Sequence, residues 1–537
     1  MKGVVFFIVL LINTSVYSAN IIVNSDSGGL GDSENCTLRS AINAAETDAT
    51  SMGCSAGLGP DVIILPDNAT IIFFEVNHHS VGGNALPTVL STITIEGNDS
   101  VLTRNETAPQ MRFFKITSNS STGADGNLTL KNMTLSNGNV SGSGGAIRNT
   151  SILTLDHVNI INNFADFEGG GIACLGSVVL CEIKNSSIIG NTANYAGGIK
   201  VNYATLKLES SLIQGNIANI SNGALDAGAI HVKDGNYSIV NSTIAENTAN
   251  RYGGIVISDS PGIIDSSTIV NNNPIGITGD TSVKNSILSN NPGGNCRIHS
   301  IIRSQGYNHS DDGTCSFSKV GDITSRSIEL MPLKQFGLYT ATYPITDDGP
   351  ATDKGDPNCP SIDQRGRPRP QDGNNDGVFI CDKGAHELNS ETIAKQHWMI
   401  GVGDIIGNRI EVSSLSTTRN GDFGTDLNPD NIVTRDWGSL TIDFNECIQG
   451  TMSFTSLIQE DDYHFGDGGY DIQKLATNLA GTECLQVGIE NASSKLWMSG
   501  TWYGGASRSG EGFLIDVLSN SKAIVTWYTY LPISNNN

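Results

Sequence analysis

Three groups of side chains have the types and spacing to do chemistry. The first is Lys200, Asp226, His231 and Arg251. Aligning the recurrent Gly-Gly-Ile segments puts Arg148, Ala173, Lys200, His231, Val256 and Thr278 in one outward column. Glu168, Asp226 and Arg251 fall in the next column, so Lys200, Asp226, His231, Lys233 and Arg251 gather on one face. A base beside a neutralised uronate is what a polysaccharide lyase needs. Two opposed carboxylates are what a glycoside hydrolase needs. No carboxylate pair repeats in register, and the competing reading is a solvated face of mixed charge.

The second group is the loop Asp372–Gly377, sequence DGNNDG, which offers oxygen ligands at Asp372, Asn374 and Asp376. This is how a calcium loop begins. A complete loop needs Glu at position 383, where Lys383 stands, so Asp382 or Glu387 would have to supply the remaining oxygens. Such a calcium ion would be structural, and a polar surface turn is the alternative; no other cofactor is expected. The third group is Trp502, Tyr503, Trp527 and Tyr528 with Tyr530. Aromatic rings can stack on the apolar faces of sugars, or alternate members can fill the core of a β-sandwich. The sequence holds no G-x-S-x-G elbow, no H-E-x-x-H pair, no phosphate-binding loop and no Cys nucleophile with a matching His.

The elements that must position these groups are repeats. From about 125 to 295 the chain reads HVNIINNFADFEGGGI, SSIIGNTANYAGGI, SSLIQGNIANISNGALDAGAI, NSTIAENTANRYGGI, SSTIVNNNPIGI and NSILSNN. The turn Asn falls at Asn163, Asn191, Asn216, Asn247, Asn272 and Asn291, in steps of 28, 25, 31, 25 and 19 residues. Each unit has a short β-run, an Asn turn and a Gly-Gly-Ile strand. A unit of this size without helical periodicity cannot bury its apolar side alone, and stacking like units solves this. Asn tolerates a left-handed backbone at a sharp corner, and its side chain can bond to the next unit. The pattern predicts a right-handed parallel β-helix. Segments 62–74, 90–96, 113–117 and 128–135 read as earlier, less regular coils.

The 537 residues include 61 Gly and carry a net charge of −23, which argues against a nucleic-acid partner. Lys2 followed by the apolar run Val4–Ile12, with Val16 and Ser18 small enough to flank a cleavage point, predicts a signal peptide over 1–18. No later run is long enough for a transmembrane segment. Ten cysteines in an exported chain favour disulfides. Pairing of sequence neighbours is the simplest scheme: Cys36 with Cys54, Cys174 with Cys181, Cys296 with Cys315, Cys359 with Cys381, and Cys447 with Cys484. All five tryptophans follow residue 397, which marks a boundary near 390.

Ordered motifs add a resemblance. CTLRSAINAA (Cys36–Ala45) resembles the CSLREA segment that opens many secreted bacterial β-helix proteins, with Ser40 where that family has Glu. LPTVLSTITIEGN, MRFFKI and LTLKNMTLSNGN follow the same family order, and the GGAI and GNTA units resemble repeats of polymorphic outer membrane proteins. SIDQRGRPRPQDGNNDGVFICDKGAHE (Ser361–Glu387) is similar to the choice-of-anchor Q tail. The segment from Cys36 reads as an amphipathic helix with Leu38, Ile42 and Ala45 on one side, capping the first coil, with Arg39 in a structural pairing.

The expected architecture is therefore all-β. A β-helix with an N-terminal cap spans 19–330, a closing segment spans 331–390, and a Trp-rich antiparallel β module spans 391–537. The expected function is adhesion to, or binding of, an extracellular polysaccharide or cell-surface component, secreted or outer-membrane-associated in a bacterium and without catalysis. The alternative is a polysaccharide lyase or glycoside hydrolase using the Lys200–Arg251 face.

Overall fold

A computed structural model describes residues 18–530 except 78–81, 119–124, 220–225, 336–339, 347–348, 375, 389–395, 420–432, 458, 461–462, 465–466, 476–483, 490, 493 and 504–511. The predicted signal peptide therefore lies almost wholly outside the described residues. The chain divides into Met1–Leu388 and Asn389–Asn537. Among the described residues no helix is long and apolar enough to cross a membrane.

The first unit is built of three sheets, one of 19 strands and two of 7, almost entirely parallel. Each strand pairs with its counterpart one repeat away. Leu130, Leu155, Ile183, Leu208, Ile239, Ile264 and Val283 follow one another in register, as do Ile160, Ile188, Ile213, Ile244, Ile269 and Leu288. All are buried in one continuous core. Each Ile or Leu so buried contributes about 1.5–3 kcal/mol, and the columns repeat that gain layer after layer.

One repeat contains more strands than its sequence suggests. Between Asn185 and Ser210 the chain forms Ser187–Ile189, Thr192–Tyr195, Ile199–Asn202 and Thr205–Glu209. The Gly pair before Ile199 is dictated by proximity: a Cβ on Gly197 would lie 2.5 Å from the backbone nitrogen of Ile217 and 2.6 Å from the carbonyl oxygen of Gly228.

The corner divides its labour between two neighbours. Asn163, Asn191, Asn216, Asn247 and Asn272 are buried, and each donates from Nδ2 to Oδ1 of the next Asn at 2.9–3.2 Å. Each Oδ1 from Asn191 to Asn291 also accepts the backbone N–H of the preceding Asn. The left-handed residue is the one before: Asn162, Gly190, Gly215, Glu246, Asn271 and Asn290 all have φ between 54° and 65°. The expectation that one Asn does both jobs is corrected. A second ladder runs beside the first, in which Ser186, Ser211, Ser242 and Ser267 each donate a backbone N–H to the hydroxyl of the next serine.

The cap forms as expected. Thr37 caps the helix Leu38–Thr47, whose Leu38, Ile42 and Ala45 are buried. Arg39 reaches out of the helix to the Ala85 carbonyl at 2.8 Å, the Glu75 carbonyl at 2.7 Å and the Glu75 carboxylate at 3.1 Å, which is the structural pairing predicted for it. Ser40 accepts the Gly31 N–H.

The segment after 330 lies along repeats already formed. Thr340 donates to the Ser210 carbonyl, Asn241 to the Ile362 carbonyl and Thr243 to the Gln364 side chain, while the Ala385 N–H bonds Thr268. The charges of the Ser361–Glu387 motif are folded inward. Asp363 pairs with Arg365 at 2.8 Å and Arg369 with Glu387 at 3.4 Å, all four buried. Glu387 also accepts the N–H groups of Gln371 and Asp382, and desolvation raises its carboxyl to about 7.

The second unit is a closed barrel of eight antiparallel strands, from Gln396–Ile406 to Lys522–Tyr530, with first and last strands paired. The antiparallel expectation holds, but closure replaces the β-sandwich. Trp437, Trp497, Trp502 and Trp527 fill its interior with Phe444 and Phe513. All five disulfides join sequence neighbours, and no cysteine is free.

Candidate functional site

The outward column is in the expected register. Arg148, Ala173, Lys200, His231, Val256 and Thr278 are consecutive partners across one parallel sheet. Parallel pairing without slippage sets Lys200 beside His231, and the Lys200 ammonium donates to His231 Nδ1 at 3.1 Å. With Nδ1 accepting, the ring proton resides on Nε2. Burial with two nearby lysines lowers the imidazole to about 3, so it is neutral. Burial lowers the Lys200 ammonium to about 8, with Glu168 opposing that shift. Burial raises the Glu168 carboxyl, and Lys200 opposes that shift.

Two corrections follow. The face is only partly open: Lys200 is 5% and His231 6% exposed, with Ala227, Tyr252 and Val256 packed together on the adjoining positions, while Lys233 and Arg251 are exposed. The four candidates also separate into two pairs. Asp226 accepts the Asn250 N–H at 3.1 Å and interacts with Arg251, whose guanidinium lies 5.5 Å from the Tyr252 ring. Lys200 and His231 instead group with Glu168 and Lys233. Glu168, placed by the sequence in the neighbouring column, belongs with this pair more closely than that column indicated. Among the described residues, buried polar atoms remain without partners at His231 Nε2, Asp226 Oδ1 and Thr278 Oγ1.

This arrangement can hold a neutral imidazole and a lysine that loses its proton near pH 8. It does not present two opposed carboxylates to a sugar.

In the loop offered for calcium, the oxygens turn to the loop's own backbone. The Asp372 carboxylate accepts the N–H groups of Asp376 and Gly377, Asn374 accepts that of Asp376, and Asp376 accepts that of Val378. These oxygens close a turn. Asp382 is buried away from it and binds the N–H groups of Asp353 and Leu388. Among the described residues no three His, Cys, Asp or Glu side chains gather to hold a metal.

Trp502 and Trp527 point into the barrel, Trp502 donating to the Met498 carbonyl at 2.8 Å and Trp527 stacking on Phe513 at 5.6 Å. Buried rings cannot stack on an external sugar, so they form no exposed aromatic face. The side chains of Tyr503, Tyr528 and Tyr530 lie outside the described residues.

Fold and site together define an all-β, fully disulfide-bonded protein with stacked parallel sheets and a separate aromatic-filled barrel. No protein-family model, no curated protein and no solved structure matches the chain.

Proposed function

We propose that residues 19–388 form a right-handed parallel β-helix of the CSLREA and choice-of-anchor Q type. In this reading the protein is exported from a bacterium and binds an extracellular polysaccharide or cell-surface component without catalysis. The observation that carries the reading is unbroken register on an accessible face. Thr94, Thr129 and Thr154 are successive partners, followed by Glu182, Lys207 and Ser238, all at least partly exposed. Neighbouring strands lie about 4.8 Å apart, so a polar side chain, first Thr and then Glu, Lys and Ser, stands at each such interval and many weak contacts to a polymer add up. Disulfide pairing of all ten cysteines supports an oxidising compartment.

The test is a glycan array with the full chain, run beside assays for reducing ends and for unsaturated uronate absorbance. The expected result is binding without turnover. A T129Y variant, which puts a bulky ring at the middle of the column, should weaken binding at least tenfold and leave the thermal midpoint unchanged. Turnover by the wild-type chain that is lost in K200M would refute the reading in favour of the lyase, which the lowered Lys200 ammonium supports.

A further inference from the structure

A cavity of about 610 Å³ opens in the segment after the repeats, away from the face just described. Its apolar lining comes from Tyr307, Ile323, Pro357 and Phe379, and the Phe379 ring is 66% exposed. A large aromatic left in water at the side of a cavity costs free energy unless something covers it. The volume lies within the range of small-molecule sites.

Two cations line the same space, Lys354 and Lys383. Lys383 is fully buried, its ammonium donates to the carbonyl oxygens of Asn308 and Gly321, and the nearby Asp322 carboxylate favours its charge. An ammonium has three N–H donors, and among the described residues these two carbonyls take two of them. Lys383 has no salt bridge among the described residues. The carboxylates that line the cavity are already engaged. Asp322 accepts from Asn308, Ser304 and Lys319, and Asp353 accepts the N–H groups of Gly373 and Asn374. A buried cation beside apolar walls is complementary to an anion with an apolar body.

We propose that this cavity binds a small carboxylate with an aromatic or aliphatic body, its carboxylate on Lys383 and its body against Ile323 and Phe379. The site is independent of polymer binding on the repeats. Desolvation lowers the Lys383 ammonium to about 8, so the cation that favours an anion is present below that pH and lost above it.

The experiment is isothermal titration of the full chain with 3-phenylpropanoate, 3-phenylpropan-1-ol and 3-phenylpropylammonium. At pH 7 the carboxylate should bind one-to-one and at least tenfold tighter than the alcohol, with the ammonium weakest. The preference should collapse by about pH 9.5, well above the lysine's titration. K383M should erase the preference while keeping alcohol binding. F379S, at an exposed position that folding does not need, should weaken acid and alcohol alike by at least threefold, and it remains decisive if K383M does not fold. K354Q should keep most of the preference. Equal binding of acid and alcohol to the wild type, no binding of either, an unaltered F379S, or a preference erased by K354Q would each overturn the proposal.

Discussion

Replacing Asn216 by Ala removes the middle of the asparagine ladder, and the cost can be counted. Oδ1 accepts from the backbone N–H and the side-chain amide of Asn191, each at 2.9 Å. Nδ2 donates to the Ile188 carbonyl at 2.8 Å and to Asn247 Oδ1 at 2.9 Å. Two of the former partners keep another contact: the Asn191 amide still reaches the Ile160 carbonyl, and Asn247 Oδ1 still accepts the Asn216 backbone N–H. The backbone N–H of Asn191 has no second acceptor and is buried. An orphaned buried donor costs about 1–3 kcal/mol, and the three other lost bonds about 1 kcal/mol each, so N216A should lose about 4–6 kcal/mol. Urea unfolding followed by far-ultraviolet circular dichroism measures this as a fall in midpoint at unchanged slope. N216D separates bonding from volume. It keeps the shape and the acceptor, but it turns a buried carboxylate oxygen towards the Ile188 carbonyl and Asn247 Oδ1. N216D should therefore also be strongly destabilised at pH 7. The exposed N159A, which loses only a 3.5 Å contact to Thr134, should change stability by less than about 0.5 kcal/mol. A loss below about 1 kcal/mol in N216A, or wild-type stability in N216D, would refute the ladder as a source of stability.

Three further outcomes are expected. His231 is held neutral to about pH 3 in the fold, whereas an unfolded histidine takes up a proton near 6.5. Below 6.5 the unfolded chain thus binds the extra proton, and this group's contribution to stability falls as pH drops from 6.5 towards 3. Relative to wild type, H231Q should show a stability-versus-pH slope smaller by up to about 1.4 kcal/mol per pH unit in that window, measured by urea titration. R39M should destabilise the cap because it orphans the Ala85 and Glu75 carbonyls, and R39K should recover only part of the loss because one ammonium does not reproduce the guanidinium fork. Loss of amide protection in the helix 38–47 reports both. Removing the Cys36–Cys54 bridge should cost about 3 kcal/mol through the freed loop of 18 residues, and the native protein unfolded without reductant should release no thiol to a colorimetric reagent.

The repeated part of the fold was readable because its constraints are local and recur. Gly-Gly-Ile marks where backbones approach, so the column from Arg148 to Thr278 came out in the register the chain adopts. The serine ladder left an equally regular mark, the Ser that precedes each β-run in SSIIGN, SSLIQG, NSTIAE and SSTIVN, but the pattern does not say where the hydroxyl bonds. Burial was harder. Register says which residues adjoin Lys200, not whether anything packs beside them, so an open face was expected where Lys200 and His231 are buried. Asp363, Arg365, Arg369 and Glu387 are buried too, and their mutual pairing permits it, a long-range arrangement that no local pattern announces. The barrel could not be told from a sandwich, because closure depends on the pairing of Gln396–Ile406 with Lys522–Tyr530, far apart in sequence and without a local marker.

The asparagine ladder keeps one bonding pattern although successive rungs are separated by 28, 25, 31, 25 and 19 residues. It therefore works as a ruler that ignores the length of chain between its marks. The shortest step still supplies strands to the sheets, with Ile277–Thr278, Thr281–Lys284 and Ile287–Ser289 in place between its two rungs. Foreign peptides grafted between rungs, away from the asparagine and serine positions, should leave the scaffold standing, so outward variety can be gained or lost at little expense to the interior.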